Sequence, residues 1–374
     1  MRVQGKECRA VWREPGDEQL IRVIDQRFLP HRFVIEELST VGQVACAISE
    51  MHVRGAPLIG AVAAYGMYFA AREAIRSSSP EQSLAESAHF LKSARPTAVN
   101  LGWAVDRQLG AISSILDSVE SIRISLALAD TIVEEEVERC QRIGVHGSEV
   151  LYDLRDISRE KPLQVLTHCN AGWLACIDYG TATAPLYQLH DQGVPIHVWV
   201  DETRPRNQGA RLTAWELGQH GIPHTVVADN TGGLLMSKGM VDVVIVGTDR
   251  TTRCGDVVNK IGTYLKALAA YDNQVPFYVA LPSSSLDWSI SRGAEVPIEE
   301  RSSDEVKYIQ GLVDGELKQV RLTSAESAAV NFGFDVTPAK FITGFITERG
   351  VCRASEDELA QLFPEIAGVG KSPL

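Results

Sequence analysis

Val165-Leu166-Thr167-His168-Cys169-Asn170-Ala171-Gly172 is the stretch whose reading decides the fold of this chain. A short apolar run ends in a cysteine and then in small residues, the pattern of a buried strand turning into a helix. In a doubly wound sheet such turns gather at the carboxyl ends of the strands, where ligands bind. Cys169 is therefore expected in a cleft at the start of a helix beginning near Ala171, where unpaired N–H groups and the helix dipole favour a thiolate or a bound anion. A plainer reading makes Cys169 a small buried filler, and the neighbouring motifs decide between the two. A second run, Val243-Val244-Ile245-Val246-Gly247-Thr248-Asp249-Arg250, delivers Asp249 just beyond another apolar strand. A thiol and a carboxyl at one sheet edge suggest acid/base chemistry.

Working outward from these runs, the pattern beyond residue 160 alternates strands (164–167, 196–200, 224–227, 241–246, 277–280) with helices (171–190, 210–220, 234–238, 261–271), which implies right-handed crossovers and a mostly parallel sheet. Gly193, Gly221 and Gly239 precede successive strands, where helix C-terminal caps belong. Residues 1 to about 150 read differently. After short strands near 10–12 and 20–24, apolar residues recur at helical spacing over 41–49, 59–75, 82–93 and 122–143. The acidic cluster Glu134, Glu135, Glu136 and Glu138 reads as a solvated helix face. There is no repeat, and the tail after Gly368 is expected to fray.

Composition narrows the function. A chain of 374 residues exceeds the size at which one core stops growing, so two domains are expected. The net charge of −12 argues against general affinity for nucleic acid or an anionic membrane, so an anionic ligand has to be held by a few placed donors. The cysteines at 8, 46, 140, 169, 176, 254 and 352 are odd in number and form no Cys-x-x-Cys pair, so neither zinc nor a redox motif is expected and a reducing cytoplasm is the simplest home. The first residues carry no apolar signal core, and no run approaches the roughly 18 apolar residues of a membrane span.

Several polar motifs punctuate this frame. Arg54-Gly55-Ala56-Pro57 and Arg95-Pro96-Thr97-Ala98-Val99-Asn100 each place a cation and a proline before a helix of small residues, suited to a phosphate, although either alone fits an ordinary structural turn. Asp201-Glu202-Thr203-Arg204-Pro205 is followed by Gln208, whose amide suits sugar hydroxyls; the charges there fit a site or an ion-pair network that braces the loop. Asp256, Asn259 and Lys260 precede the helix expected from Ile261, in a loop with Gly247, Gly255 and Gly262. That loop lacks the spacing of a phosphate-binding loop or a dinucleotide fingerprint, so NAD and ATP are not indicated. His168 and Cys169 point to opposite faces of a strand, which favours a packing or supporting role for the histidine.

Taken in order, and with Asp249-Arg250, Asn259-Lys260-Ile261-Gly262-Thr263, Phe334-Asp335-Val336-Thr337-Pro338 and Ile346-Thr347-Glu348-Arg349-Gly350, these segments resemble the methylthioribose-1-phosphate isomerase family. That family is related to the alpha, beta and delta subunits of the translation-initiation exchange factor and to ribose-1,5-bisphosphate isomerase. The resemblance covers nearly the whole chain. It implies an α/β protein with an N-terminal mainly helical domain carrying a small strand element (1–150), a C-terminal Rossmann-like doubly wound parallel sheet bearing catalysis (151–374), and a cytoplasmic homodimer. It further implies an aldose–ketose isomerase of methionine salvage acting on a small sugar phosphate, with Cys169 and Asp249 catalytic, Arg54, Gly55, Ala56, Arg95, Gln208, Asn259 and Lys260 binding the sugar phosphate, and no metal or cofactor. Gly102, Trp173 and Thr248 depart from the family pattern. A 5-deoxyribose-1-phosphate isomerase, or a sugar-phosphate- or nucleotide-sensing regulatory subunit without turnover, are the competing readings.

Overall fold

A computed structural model describes residues 1–96, 98–115, 119–155 and 161–367, so Thr97 and the tail expected to fray lie outside the described residues. Cα packing separates two units, Met1–Gln141 with Gly172–Gly180, and Arg142–Ala171 with Thr181–Leu374.

The first unit opens with two small antiparallel sheets, β1 (Arg2–Val3) with β2 (Lys6–Glu7), and β3 (Val11–Trp12), β4 (Ile21–Ile24) and β5 (Ile35–Leu38) in the order β3-β4-β5. β5 escaped the sequence reading because Glu36 and Glu37 interrupt its apolar pattern. Helix α1 (Val41–Ser49) starts where Thr40 caps it, its hydroxyl accepting from the Gln43 amide at 3.2 Å. Helix α2 (Ala56–Ala74) is buried along nearly its whole circumference, which its alanines and glycines permit while α1, α3 (Pro80–Ala94) and α4 (Val99–Ile112) pack around it. Pro96 does not open α4 as expected. Its ring drives Arg95 into an extended conformation (φ −150°, ψ 85°), which ends α3, and the Ala98 amide closes a turn onto Arg95 O at 3.0 Å before α4 begins. Helix α5 (Val119–Asp153) overruns the expected 122–143 at both ends, and the boundary between the units falls within it. Its acidic run is not uniformly solvated. Glu134 is exposed and pairs with Arg9, Glu135 forks onto Arg107 at 2.5 and 2.8 Å, and Glu136 is buried against Arg139.

The helix expected over 171–190 is broken. Only α6 (Trp173–Cys176) and α7 (Ala184–Asp191) form, because Ile177, Tyr179 and Gly180 take φ of 75°, 59° and 84°, which no right-handed helix accommodates. α6 belongs to the first unit and α7 to the second.

The second unit is built on β6 (Leu163–Thr167), β7 (Ile196–Asp201), β8 (His224–Val227), β9 (Val243–Val246), and further along β12, β17 and β18. Between β7 and β9 run a five-residue π-helical turn (Gly209–Thr213), α8 (Ala214–His220) and α9 (Thr231–Ser237). The segment after β9 differs from the loop expected over 247–262. β10 (Arg250–Thr252) and β11 (Val257–Lys260) pair antiparallel, and helix α10 (Thr263–Asp272) starts two residues later than expected, after Gly262 at φ 104°. Asn259 and Lys260 therefore end a strand. After α10 come β12 (Phe277–Ala280), β13 (Leu286–Asp287), a hairpin of β14 (Tyr308–Val313) and β15 (Glu316–Arg321), then β16 (Phe334–Thr337), β17 (Gly344–Thr347) and β18 (Gly350–Cys352). A four-stranded sheet has the order β13-β10-β11-β16.

The main sheet has the order β18-β17-β12-β9-β6-β7-β8, all parallel except β18 at the edge. Alternation sorts its side chains by face. Leu166, Val244, Val246, Phe277 and Val279 are fully buried with Leu235 and Met236 of α9 and Ala267 and Ala270 of α10. Gly193, Gly221 and Gly239 adopt φ of 77°, 78° and 65°, the left-handed caps that stop each helix before its strand.

Candidate active site

Chain order through the main sheet reverses between β6 and β9. From β6 the chain steps outward to β7 and β8, then returns to the other side of β6 with β9. The carboxyl ends of β6 and β9 therefore mark the topological switch point, the place where open parallel sheets bind ligands. Cys169 lies two residues beyond β6 and Asp249 three beyond β9. The two loops touch, since a Cβ on Gly247 would fall 2.6 Å from that of Ala171.

Cys169 is buried at 6% exposure and adopts φ 67°, a left-handed conformation rare for a residue with a side chain. Two threonines fix it there. The Cys169 amide donates to Thr203 Oγ1 at 2.8 Å, and the Thr213 hydroxyl donates to the Cys169 carbonyl at 2.6 Å. Thr203 itself has φ 64°, and its amide and that of Arg204 donate to the Asp229 carboxylate at 2.6 and 2.7 Å. With α6 only one turn long, backbone pinning rather than a long helix dipole positions the thiol.

His168 does the supporting work expected of it. Nδ1 lies 2.8 Å from Asp201 Oδ2 and Nε2 2.9 Å from the Ile261 carbonyl, so the ring joins β6 to β7 and to the segment after β11. Asp201 is fully buried and is also 3.0 Å from Lys266 Nζ. Asp201 and Arg204 brace the loop, the latter donating to the carbonyls of Pro205 and Val306 at 2.6 and 2.8 Å. Beyond them Glu305 accepts from Arg206 at 2.8 Å, from Arg301 at 2.8 Å and from Asn331 at 2.8 Å. Burial pushes the Glu305 carboxyl up, but the two guanidiniums outweigh it and hold the group down at about 2.

The remaining candidates in this unit cluster at the same edge. Gln208 is buried and its Oε1 has no hydrogen-bond partner among the described residues, an acceptor left open for a hydroxyl. The turn it starts needs glycine next, because a Cβ on Gly209 would sit 1.7 Å from the Asp201 carbonyl oxygen. Asp249 is half-buried, with its amide on Val258 O at 3.0 Å, and Thr248 Oγ1 bonds the carbonyls of Arg250 and Val258 at 2.8 and 3.2 Å. On β11, Asn259 Nδ2 donates to Thr263 Oγ1 at 3.0 Å, and Lys260 Nζ donates to Gly333 O at 2.9 Å from over the Phe334 ring. Asp335 anchors the turn into α10 by accepting from the Gly262 and Tyr264 amides, and burial pushes its carboxyl up against their pull. Asp229 and Lys266 went unnoticed in the sequence, and Asp335 entered only within the Phe334–Pro338 segment with no role of its own, because they lie far along the chain from the residues they hold.

Arg54, Gly55, Ala56 and Arg95 belong to the first unit. Gly55 precedes α2 at φ 92°, and a Cβ there would fall 2.5 Å from that of Ala175, so only glycine fits. Arg54 and Arg95 are half-buried and lead into α2 and α4, whose first turns meet where Gly60 packs on Asn100. Asn100 was not singled out, yet it is 1% exposed and its Oδ1 lacks a hydrogen-bond partner among the described residues.

A Rossmann-ordered sheet with a thiol and a carboxyl at its switch point defines a doubly wound α/β protein, a class in which ligands bind at the carboxyl ends of the strands. Sequence comparison is more specific: the chain belongs to the Initiation factor 2 subunit family, which it matches over residues 52–354. It is 54% identical over 366 residues to a methylthioribose-1-phosphate isomerase of Desulfatibacillum aliphaticivorans, covering 98% of this chain and 99% of that one. Its fold is similar to the crystal structure of 5-methylthioribose 1-phosphate isomerase from Pyrococcus horikoshii OT3 (TM-score 0.82, 38% identity, 96% and 97% of the two chains). It is also similar to translation initiation factor eIF-2B, subunit delta, from A. fulgidus (TM-score 0.77, 38% identity, 96% and 100%).

Proposed function

We propose that this protein is an aldose–ketose isomerase that converts 5-methylthioribose 1-phosphate to 5-methylthioribulose 1-phosphate. The observation that carries the reading is the pairing of Cys169 and Asp249 beyond neighbouring parallel strands, in a chain 54% identical to an isomerase over almost its full length. The phosphate on C1 blocks spontaneous opening to an aldehyde, so the ring has to be opened by the enzyme. Asp249 donates a proton to the ring oxygen as the C1–O4 bond breaks. Hydrogen then moves from C2 to C1, either as a proton carried by Cys169 through an enediol or as a hydride shift beside a Cys169 thiol that stabilises the transition state, and the proton of the C2 hydroxyl leaves as the ketone forms. Gln208, Asn259 and Lys260 bind the sugar phosphate together with Arg54, Gly55, Ala56 and Arg95. Residues 1–150 serve as the helical domain and 151–374 as the catalytic one, in a cytoplasmic homodimer. All seven cysteines as free thiols suit a reducing compartment.

The test is to incubate purified protein with 5-methylthioribose 1-phosphate and with 5-deoxyribose 1-phosphate and to follow ketose formation by NMR. Turnover of the methylthio substrate is expected. Turnover of the deoxy sugar alone would move the assignment to a 5-deoxyribose-1-phosphate isomerase. No ketose from either would favour a regulatory subunit without turnover, the reading that the A. fulgidus structure supports.

A further inference from the structure

The turn that leads from α1 to Arg54 carries a cluster that the isomerase reading does not use. Cys46 and Glu50 stand four apart, on α1 and at its C-terminal cap, and so share one helix face. At Met51 the backbone takes φ 59° and turns His52 back toward them. The Cys46 thiol, a Glu50 carboxylate oxygen and a His52 ring nitrogen all lie within 4.8 Å of one another. Ligands around a tetrahedral zinc ion stand roughly 3.3 to 3.8 Å apart, so small side-chain adjustments close the set.

The histidine gives this cluster its meaning. His52 is 5% exposed, and its Nδ1 is 2.7 Å from Glu36 Oε2. Donation from Nδ1 to that carboxylate leaves Nε2 with its lone pair. Nε2 is buried and has no hydrogen-bond partner among the described residues; the nearest carboxylate oxygen, Glu50 Oε2, is 3.7 Å away, too far for a hydrogen bond. A buried acceptor without a donor is costly. A carboxylate behind the far nitrogen of a histidine is the arrangement that orients metal-bound imidazoles and raises their basicity.

The surrounding charge favours a cation. The carboxylates of Glu36 and Glu50, 2.7 and 3.7 Å from the two His52 ring nitrogens, attract a divalent ion. The C-terminal end of α1 adds its negative dipole. One guanidinium opposes this: Arg27 reaches Glu50 at 3.3 Å, but its main partner is Asp25 at 2.8 Å, which it keeps if Glu50 turns to a metal.

We propose that Cys46, Glu50 and His52 form a site for a borderline-soft divalent cation, Zn2+, with water as fourth ligand and Glu36 as the positioning residue behind His52. The site would clasp the end of α1 to the turn that leads into Arg54 and Gly55, ordering the approach to α2.

The test uses the full chain stripped with a chelator, titrated with Zn2+ against a chromophoric competitor and with Co2+ for its spectrum. One ion per chain is expected, with a thiolate-to-cobalt charge-transfer band and a raised Tm. Cys46→Ser should abolish the band, and Cys46→Ser, Glu50→Gln and Glu36→Gln should each weaken Zn2+ by at least about tenfold. Cys169→Ser should retain both band and affinity. Cys46 and Glu50 are exposed, so their variants fold irrespective of metal, which the buried His52 does not guarantee. Absence of a cobalt band in the parent, unchanged affinity in Cys46→Ser, or loss of the site in Cys169→Ser would each overturn the proposal.

Discussion

Cys169 is held in a backbone conformation that costs on the order of 1 kcal/mol for a residue with a Cβ. Thr203 and Thr213 offset that cost by holding its amide and its carbonyl, so main-chain hydrogen bonds fix the backbone that carries the thiol. Cys169→Ser keeps the shape and those bonds, and Asp249→Asn keeps the size of its side chain. Each is therefore expected to fold normally and yet to lose at least about a hundredfold in kcat, the low end of a general acid/base contribution. Near-normal kcat in a steady-state assay of either variant would remove that residue from the chemistry. Arg95 is proposed to bind the phosphate. A charge-assisted bond to phosphate lost in Arg95→Ala should weaken substrate affinity by roughly 1.5 to 3 kcal/mol, read by calorimetry, while the unphosphorylated sugar binds parent and variant alike.

At the scale of elements, the loop after β7 is the best-braced feature near the switch point, and Glu305 is its outer tie. Its carboxyl sits at about 2 in the folded chain against an ordinary value of 4.5, so its contribution to stability is fully present above pH 4.5 and is lost as the pH falls toward 2. Glu305→Gln should lower the unfolding free energy at pH 7 by up to about 3 kcal/mol, and urea titrations of parent and variant should draw together as the pH drops from 4.5 toward 2. A gap that stays constant from pH 7 to pH 3.5 would show that the carboxylate charge is not what holds the loop. This tie was invisible in the sequence, where Arg206, Arg301 and Asn331 are scattered around it. What could be read were the buried runs of β6, β9 and β12, because short apolar stretches bounded by Pro162, by Gly247, and by Pro276 and Pro282 read as buried strands. What could not be read were breaks imposed from outside the segment. The apolar pattern of 171–190 suits a helix, but Ile177 and Tyr179 turn left-handed where Ala10 N–H bonds Ile177 O at 2.9 Å. β10 and β11 are three and four residues long, with charged ends, and exist only through their pairing. The Cys46–Glu50–His52 set was missed for a related reason: a search for paired cysteines passes over one cysteine, one helix turn and a bend.

At the scale of the whole molecule, the question is which 5-substituent the chain turns over. A net charge of −12 leaves recognition of the phosphate to a handful of donors, and these are common to every ribose 1-phosphate, so they do not discriminate at C5. Discrimination at C5 falls to apolar fit, since neither a methylthio group nor hydrogen offers a strong hydrogen bond. Of the three positions that depart from the family pattern, Trp173 is fully buried, a side chain at Gly102 would meet nothing within 4 Å, and the Thr248 hydroxyl is engaged with the carbonyls of Arg250 and Val258. A hydrophobic pocket separates ligands by only about 1 to 3 kcal/mol per methylene-sized group. Both 5-methylthioribose 1-phosphate and 5-deoxyribose 1-phosphate are therefore expected to turn over, with the larger substituent preferred because it buries more surface. Competition assays that compare kcat/KM decide the matter. A ratio above about ten-thousandfold in either direction exceeds what apolar fit supplies and would require a polar group aimed at the substituent.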